Sequence, residues 1–253
     1  MNMDMYAVGG WVRDSLMERD TNDLDFTVVG GTWQQMQEFV AAQCTRIHVV
    51  TEEFFTVRGQ HPEFGDVDFV WARKDGAYSD GRRPDTVQPG TLHDDLARRD
   101  FTVNAMAVHV GNMADFTREC KSGDPRRYVI DPFGGLDHLF TPLGEPKMLH
   151  AVGDAEDRMM EDGLRPWRAL RFSMTHGFDI GDDILEAMSE SDGVWKAAMA
   201  VASERVQQEM HKAAKRATFH QIAGVFGDVR FLLWAYALEQ NHGVWFQPTL
   251  KNK

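Results

Sequence analysis

The sequence predicts an α+β fold, in which a front domain of strands and helices precedes an all-helical region. In the first half, short segments of alternating polar and apolar residues, typical of strands, are separated by amphipathic segments typical of helices. From about Ala151 onward the spacing of apolar residues is helical, with no strand-like segment of comparable strength. We therefore expect a head domain over residues 1–140 and a helical domain over residues 141–253.

The elements of the head follow from its local patterns. Leu24, Phe26 and Val28 fall on one face of an extended segment, which is typical of a half-buried strand. Thr32 and Gln35 have the spacing of a capping box and predict the start of a helix. In order, the expected elements are a strand end at 6–9, a helix at 11–18, a strand at 23–30, a helix after 32, a strand at 66–72, a polar loop at 78–91 and a strand at 101–110.

Length and composition are those of a globular protein. The chain has 253 residues, of which 43% are hydrophobic, enough for one large domain or two modest ones. Met1 to Asp4 do not begin a signal peptide, and no apolar run approaches the roughly 18 residues that span a membrane. Cys44 and Cys120 are too few for a disulfide framework and lack metal-ligand spacing. We expect a cytoplasmic protein with two reduced thiols, no membrane association and no obligate protein partner.

The net charge of −12 is spread unevenly. From Trp195 to the end there are eight basic and four acidic residues, whereas the preceding part holds 19 basic and 35 acidic residues. An acidic front suits a protein that concentrates divalent cations, and a basic helical rear suits one that touches a phosphate backbone. The same asymmetry is also compatible with ordinary solvated surfaces.

Two aspartates one residue apart indicate a metal site. Asp23 and Asp25 would share one face of the predicted strand, with Cα atoms about 6–7 Å apart. Two carboxylates so placed can hold two divalent metals, one to activate a hydroxyl and one to neutralise a leaving pyrophosphate. Asp68, on the next expected strand, is the candidate for a third catalytic carboxylate. Taken alone, such pairs are more often solvated loop residues.

A pair of glycines precedes this strand and a short helix. Gly9 and Gly10 would let backbone N–H groups approach a triphosphate, with the positive end of the helix behind them. Arg13, one turn into the helix, can add a charge-assisted hydrogen bond. The segment is neither a Walker loop nor a dinucleotide fingerprint, because neither glycine pattern is present.

Five segments in order resemble the motifs of one family. They are GGWVRDSLMERDTNDLDF (9–26), DDLARRDFTVNAMA (94–107), DPFGGLDHL (131–139), EDGLRPWRALRF (161–172) and SERVQQEMHK (203–212). They are similar to the motifs of class II tRNA nucleotidyltransferases, the CCA-adding enzymes, and of the related bacterial poly(A) polymerases. The resemblance implies a polymerase-β-like nucleotidyltransferase head built on a mixed β-sheet, followed by an all-helical neck and a truncated body.

The resemblance also implies roles for individual residues. Asp23 and Asp25 would bind Mg²⁺. The incoming CTP or ATP would be held through its phosphates and ribose by Gly10, Arg13 and Arg99. The nucleotide-reading helix would carry Asp162, Arg165, Arg168 and Arg171.

The chemistry of Asp162 and Arg165 is consistent with template-free base selection. An ionised Asp only accepts hydrogen bonds and an Arg only donates them. Together they match cytosine and adenine, which present an amino donor beside a ring-nitrogen acceptor, and leave guanine and uracil unpaired. Relatives usually have proline where this chain has Gly163, and here Pro166 appears instead. If the helix starts at Pro166, Arg165 lies at its cap and not on its face. An exposed i,i+3 salt bridge is the alternative.

Two further features concern the RNA. The loop KDGAYSDGRRPDTV (74–87), with residues 77–84 at its centre, resembles one found in relatives that add the terminal A, which favours full CCA addition or A addition. Few residues follow His211, so we expect a smaller grip on tRNA than relatives have. Arg205, Lys212 and Arg216 fall near one helix face and are the candidate RNA-binding residues.

Three functions remain open at this point. The first hypothesis is a compact CCA-adding enzyme that transfers CMP and AMP from CTP and ATP to a tRNA 3′ end. The second is an enzyme that adds A only, or a poly(A) polymerase, since the same motifs serve both. The third, from a different class, is a catalytically silent RNA- or nucleotide-binding relic.

Overall fold

The described residues of the computed structural model form two compact units. The model describes residues 3–21, 24–75 and 87–244, and the units meet in sequence between Leu139 and Phe140. In these ranges, no helix combines the length and the apolar character needed to cross a membrane.

The first unit is built on a seven-stranded sheet with the order β3-β4-β5-β2-β1-β8-β9, beside a two-stranded ribbon of β6 and β7. Neighbouring strands in the sheet are antiparallel except for the parallel pair of β2 and β5. The strands are β1 (Asp4–Val8), β2 (Asp25–Val29), β3 (Arg46–Thr51), β4 (Thr56–His61), β5 (Gly65–Trp71), β6 (Arg73–Asp75), β7 (Val87–Pro89), β8 (Ala107–His109) and β9 (Val129–Ile130). The helices are α1 (Gly10–Leu16), α2 (Trp33–Gln43), α3 (Leu92–Ala97), α4 (Met113–Ser122) and α5 (Gly135–Leu139).

Alternation along the central strands separates an apolar face from a polar one. On β2, Phe26 and Val28 are fully buried, and the Phe26 ring stacks on that of Phe69 with centroids 5.4 Å apart. Helix α2 contacts β4 and β5 and buries Met36 and Val40. Residues at alternate positions point the other way, so Asp25 and Thr27 lie on the opposite face of the sheet.

The structure confirms several of the expected elements and corrects two. Within the segment predicted to be a polar loop at 78–91, Val87–Pro89 form strand β7, which pairs with β6. The strand predicted at 23–30 is observed as β2, the strand at 66–72 as β5, and the capping box of Thr32 and Gln35 has both reciprocal hydrogen bonds. The strand predicted at 101–110 is wrong over its first half, where residues 102–104 form a 3₁₀ turn. The reason is that Asn104 turns its side chain to Asp100, at 2.9 Å, and so closes the backbone locally.

The second unit is mostly helical and contains one parallel pair of two-residue strands, β10 (Met148–Leu149) and β11 (Asp179–Ile180). A strand pair this short was not expected in the helical region. The helices are α6 (Ala155–Glu161), α7 (Leu164–His176), α8 (Asp182–Glu190), α9 (Asp192–Met199), α10 (Ser203–Arg216), α11 (Phe219–Phe226) and α12 (Leu232–His242).

Helix α7 lies at the centre of this unit. Trp167 is fully buried, donates to the Ala198 carbonyl oxygen at 3.2 Å and meets the Trp234 ring edge-on at 5.0 Å. Helix α7 contacts α6, α9, α10 and α11. Helix α12 buries one face only, since Leu233 and Tyr236 are exposed.

Candidate active site

The turn between β1 and α1 brings a glycine against an arginine. Gly9 has φ +70°, in the left-handed region that favours glycine. A Cβ on Gly9 would lie 2.6 Å from Arg99 Nη1, so the absent side chain leaves room for that guanidinium. Among the described residues, buried Arg99 Nε has no hydrogen-bond partner. The structure thus places two of the predicted nucleotide-binding residues, Gly9 and Arg99, side by side.

Arg13 lies below this turn and is buried. Its guanidinium donates to the Asn104 side-chain oxygen and to Asp14 Oδ1, the latter at 2.8 Å. Asn104 is itself held by Asp100. A Cβ on Gly10 would lie 3.6 Å from Arg13 Nη2, which places the guanidinium directly under the turn. The structure therefore shows Arg13 supporting the glycine turn from inside the protein.

Two of the three predicted carboxylates are neighbours across the parallel strand pair. Asp25 of β2 and Asp68 of β5 are Cα partners, so their side chains share a face with Cα atoms about 5 Å apart. Both are partly exposed. Asp23, predicted to be a metal ligand with Asp25, lies outside the described residues.

The donor chemistry of this pair fits Mg²⁺, which prefers carboxylate oxygens and retains several waters. Among the described residues, no group of three or more His, Cys, Asp or Glu side chains could hold a metal ion. Asp25 and Asp68 could therefore offer two ligands to such an ion, and Asp23 would have to supply a third.

A buried aspartate connects β2, the strand that carries Asp25, to Arg99. Asp95 of α3 is fully buried and accepts from Thr27 Oγ1 at 2.8 Å and from Arg99 Nη2 at 3.0 Å. Arg98 also donates to it, with Nε at 3.1 Å. Burial alone would raise the pKa of Asp95, but the two arginine charges and these hydrogen bonds offset it, and its pKa is lowered. Asp95 is therefore ionised and fixes both arginines over the face that carries Asp25.

In the second unit, Asp162 lies between α6 and α7 and pairs with Arg205. Its two carboxylate oxygens lie 3.3 and 3.2 Å from Arg205 Nη2, and Oδ1 also accepts from the Leu164 N–H at 3.0 Å. Arg165 turns instead toward Glu161 and the Arg158 carbonyl oxygen, each 2.7 Å from Nη1. The side chains predicted to read a base together are thus each held by a different partner.

Helix α7 begins before the proline. It starts at Leu164, with Gly163 at its cap, so Pro166 lies within the first turn, where its missing N–H costs nothing. The structure therefore does not follow the alternative in which the helix starts at Pro166. Close packing requires glycine at position 163, because a Cβ there would lie 2.1 Å from the Ala197 carbonyl oxygen.

Arg171, predicted to bind nucleotide, forms a buried ion pair between α7 and α10. Its Nε lies 2.6 Å from Glu209 Oε2, and Arg168 Nη1 lies 4.0 Å from Oε1. Lys212 Nζ donates to the same carboxylate at 2.8 Å. Burial raises the pKa of Glu209, and the charges of Arg171, Arg168 and Lys212 lower it by more, so the pKa is lowered overall. Arg168 retains more exposure than Arg171.

The candidate RNA-binding residues differ in their availability. Arg205 is paired with Asp162 and Lys212 with Glu209. Arg216, at the end of α10, is exposed, and no ion pair is observed for it among the described residues. Its neighbour Lys215 has the same properties. The cations open to a phosphate backbone thus lie at the C-terminal end of α10. The loop at 77–84 lies outside the described residues.

Sequence reasoning did not identify Asp95, Asn104 or Glu209. A signal existed for Asp95, because Arg98 and Arg99 follow it at i+3 and i+4 on one helix face. Asn104 and Glu209 act on partners 91 and 38 residues away. Spacing along the chain carries no information about pairs so far apart.

Comparison with known proteins gives a consistent family. The model of the poly A polymerase head domain matches residues 5–141. The CCA-adding enzyme of Oceanobacillus iheyensis is 35% identical over 208 residues, which cover 82% of this chain and 45% of the relative. The CCA-adding enzyme of Leuconostoc citreum is 35% identical over 211 residues, which cover 83% of this chain and 45% of the relative. The chain thus spans about half the length of the curated relatives it matches.

Solved structures agree. The Bacillus stearothermophilus CCA-adding enzyme in complex with CTP aligns with a TM-score of 0.67 and 27% identity, over 89% of this chain and 48% of that one. The Thermotoga maritima CCA-adding enzyme complexed with tRNA aligns with a TM-score of 0.66 over 98% of this chain and 50% of that one. Its sequence identity of 22% supports a likeness of fold alone. These matches confirm the predicted mixed-sheet head and helical region. Because the family model covers more than half of the chain, the protein belongs to the poly A polymerase head domain family.

Proposed function

We propose that this chain carries out template-independent transfer of CMP and AMP from CTP and ATP to the 3′ end of tRNA, with release of pyrophosphate. The observation that carries the proposal is the adjacency of Asp25 and Asp68 on the sheet face that also holds the Asp95–Arg99 pair beside Gly9. CCA-adding enzymes among the curated relatives support the choice of reaction. Free thiols at Cys44 and Cys120 agree with a cytoplasmic protein.

The first unit would hold the reacting phosphates. Arg99, fixed by Asp95, would donate to the triphosphate at the glycine turn. Asp25, Asp68 and Asp23 would hold magnesium, which supplies activation of the 3′-hydroxyl and neutralises charge on the departing pyrophosphate. Arg13, buried under the turn, would keep the backbone N–H groups of Gly9 and Gly10 in place.

The second unit would select the base. A carboxylate has about four acceptor positions, and Asp162 uses three contacts, two toward Arg205 and one toward the Leu164 N–H. It therefore keeps acceptor capacity for the amino group of cytosine or adenine. Arg205 would orient Asp162, and Arg165 and Arg168 would supply donors. Arg171 would keep α7 in place through Glu209.

RNA would bind along α10. Among Arg205, Lys212 and Arg216, the last is the best placed to contact a phosphate, because the other two are engaged in ion pairs. Lys215 joins it as an exposed cation. Such contacts supply sequence-independent affinity that weakens as salt is raised.

The test is incorporation on tRNA transcripts that end at the discriminator base, at C and at CC, with each nucleotide supplied singly. Full CCA addition requires C transfer to the first two and A transfer to the third, in magnesium. Asp25→Ala should abolish transfer while its circular dichroism spectrum stays that of the wild type. Transfer by this variant within about tenfold of wild type would contradict the two-metal assignment.

The name of the matching family favours one second candidate, an enzyme that adds A only. It predicts A transfer to tRNA ending in CC and no C transfer to the shorter transcripts. An active-site relic predicts no incorporation on any transcript.

A further inference from the structure

A third polar side chain continues the row formed by the two carboxylates. Arg58 of β4 is the Cα partner of Asp68, just as Asp68 is the partner of Asp25. Residues paired in this way project from the same face of a sheet. The side chains agree, because Arg58 Nη1 lies 3.7 Å from Asp68 Oδ2. The row therefore runs from β2 through β5 to β4 and ends in a cation.

The Arg58 guanidinium is accessible and weakly held. Its side chain is 53% exposed and that of Asp68 is 38% exposed. Ion pairs with this exposure contribute little to stability because water screens them. Arg58 can therefore exchange its partner for a phosphate without loss of a buried contact.

The row has a direction set by the strand order. Val8, which pairs with Asp25 from the other side, leads directly into the Gly9–Gly10 turn. Arg58 lies two strand spacings beyond Asp25, about 10 Å away, on the side opposite to that turn. The Gly9–Gly10 turn, where the triphosphate is proposed to bind, and Arg58 thus lie on opposite sides of the two carboxylates.

Phosphoryl transfer places the attacking and leaving oxygens roughly in line. With pyrophosphate leaving toward Gly9 and Arg99, the attacking 3′-hydroxyl must approach from the β5–β4 side of the carboxylates. An RNA 3′ end carries a backbone phosphate next to that hydroxyl. A guanidinium matches a phosphate in charge and in hydrogen-bond geometry.

We propose that Arg58 binds a backbone phosphate at the 3′ end of the RNA and so positions the attacking hydroxyl at Asp25 and Asp68. The inference rests on the proposed function and adds to it a residue that contacts the acceptor RNA, distinct from those that hold the nucleotide.

The experiment compares Arg58→Gln and Arg58→Lys with Arg118→Gln. Arg118 is a matched control, since it is 62% exposed and pairs with a carboxylate, Asp115, on α4. Binding of a tRNA transcript ending in CC is measured without nucleotide by fluorescence anisotropy, from about 50 to 200 mM KCl. KM values for this RNA and for ATP are measured in parallel.

Arg58→Gln should weaken RNA binding on the order of tenfold, the loss expected for one charge-assisted hydrogen bond. The slope of log K against log salt should fall by about 0.7, the contribution of one phosphate contact in single-stranded nucleic acid. KM for ATP should be unchanged, and Arg58→Lys should recover most of the affinity because it keeps the charge. Arg118→Gln should match the wild type throughout.

Four outcomes overturn the inference. An unchanged affinity and salt slope with a reduced kcat would mean that Arg58 only orients Asp68. A rise in KM for ATP alone would make it a nucleotide contact, and unchanged behaviour would leave it without a role in the reaction. A wild-type protein that neither binds nor extends the transcript would remove the proposed function itself, and the inference with it.

Discussion

Replacement of Asp95 by Asn tests the connection between β2, the strand that carries Asp25, and Arg99. The carboxylate is fully buried, and its two oxygens divide the donors between them. Oδ1 accepts from Arg98, while Oδ2 accepts from Thr27 and Arg99. An amide keeps a single acceptor oxygen and turns an NH₂ group toward one set of donors.

The expected loss of stability follows from the hydrogen bonds that the amide cannot accept. One set of charge-assisted hydrogen bonds is lost, at about 1.5–3 kcal/mol, and the arginine charges lose their buried counter-ion. Both arginines are about one-fifth exposed, so water partly compensates. We expect a net loss of about 3 kcal/mol, which corresponds to roughly 6–12 °C in Tm for a chain of this size. Release of Arg99 should also weaken CTP binding by about tenfold.

The assays are urea denaturation and calorimetric titration with CTP, with Asp94→Asn as the control. Asp94 precedes Asp95 but is solvent-accessible and caps α3 by accepting from Thr91 N–H and Oγ1 at 2.8 and 2.7 Å. Asn also serves as a cap acceptor, so the control should lose less than about 1 kcal/mol and bind CTP normally. Equal stability and CTP affinity in Asp95→Asn and the wild type would refute the reasoning.

The pH dependence of stability gives an independent check on the role of ionised Asp95. The pKa of Asp95 is lowered in the folded protein relative to about 3.9 in the unfolded chain. Its contribution is therefore fully present above about pH 4 and is lost as the pH falls through the folded pKa. The stability difference between wild type and Asp95→Asn should be constant near neutral pH and should shrink only in strong acid.

Four other substitutions test the remaining parts of the candidate site. Gly9→Ala and Gly65→Ala, at φ +70° and +75°, should each cost about 1–2 kcal/mol in stability. Only Gly9→Ala, whose Cβ would lie 2.6 Å from Arg99 Nη1, should also weaken CTP binding in titration calorimetry. Equal CTP affinities of the two variants would contradict this. Glu209→Gln should lower Tm by several degrees, because buried Arg171 loses its counter-ion; an unchanged melting curve would show that the pair contributes nothing. Asp162→Ala should slow CTP and ATP use and narrow the margin over UTP and GTP; unchanged selectivity in an active variant would assign base reading elsewhere.

How far the sequence predicts this fold depends on whether its elements have one buried face. Strand β2 was predictable because Phe26 and Val28 alternate with polar positions. Strand β3 was not, since Val49 and Val50 are both exposed and break the alternation. The turn that contains Asn104 was taken for a strand because its apolar residues are buried on all sides.

For the candidate site, the sequence suggested a set of residues but little of their arrangement. Local motifs led to Gly9, Arg99 and Asp162, but they gave no indication that Asp162 would pair with Arg205, 43 residues away. Spacing within a helix suggested an Asp162–Arg165 pair, whereas the cap position of Asp162 lets it reach α10 instead. Long-range partners depend on how helices pack, and one sequence does not contain that information.

The buried polar links explain why the second motif carries residues that need not touch substrate. Asp95 joins Arg99 to Thr27 of β2, and Asn104 joins the glycine turn, through Arg13, to Asp100. Apolar contacts of the same size would stabilise the head at least as well, but they would not fix the direction of a guanidinium. A phosphate-binding arginine must be oriented before the nucleotide arrives, because ordering it during binding would reduce affinity. The buried carboxylate and amide therefore maintain geometry at the candidate site, and changes there should alter nucleotide affinity together with stability.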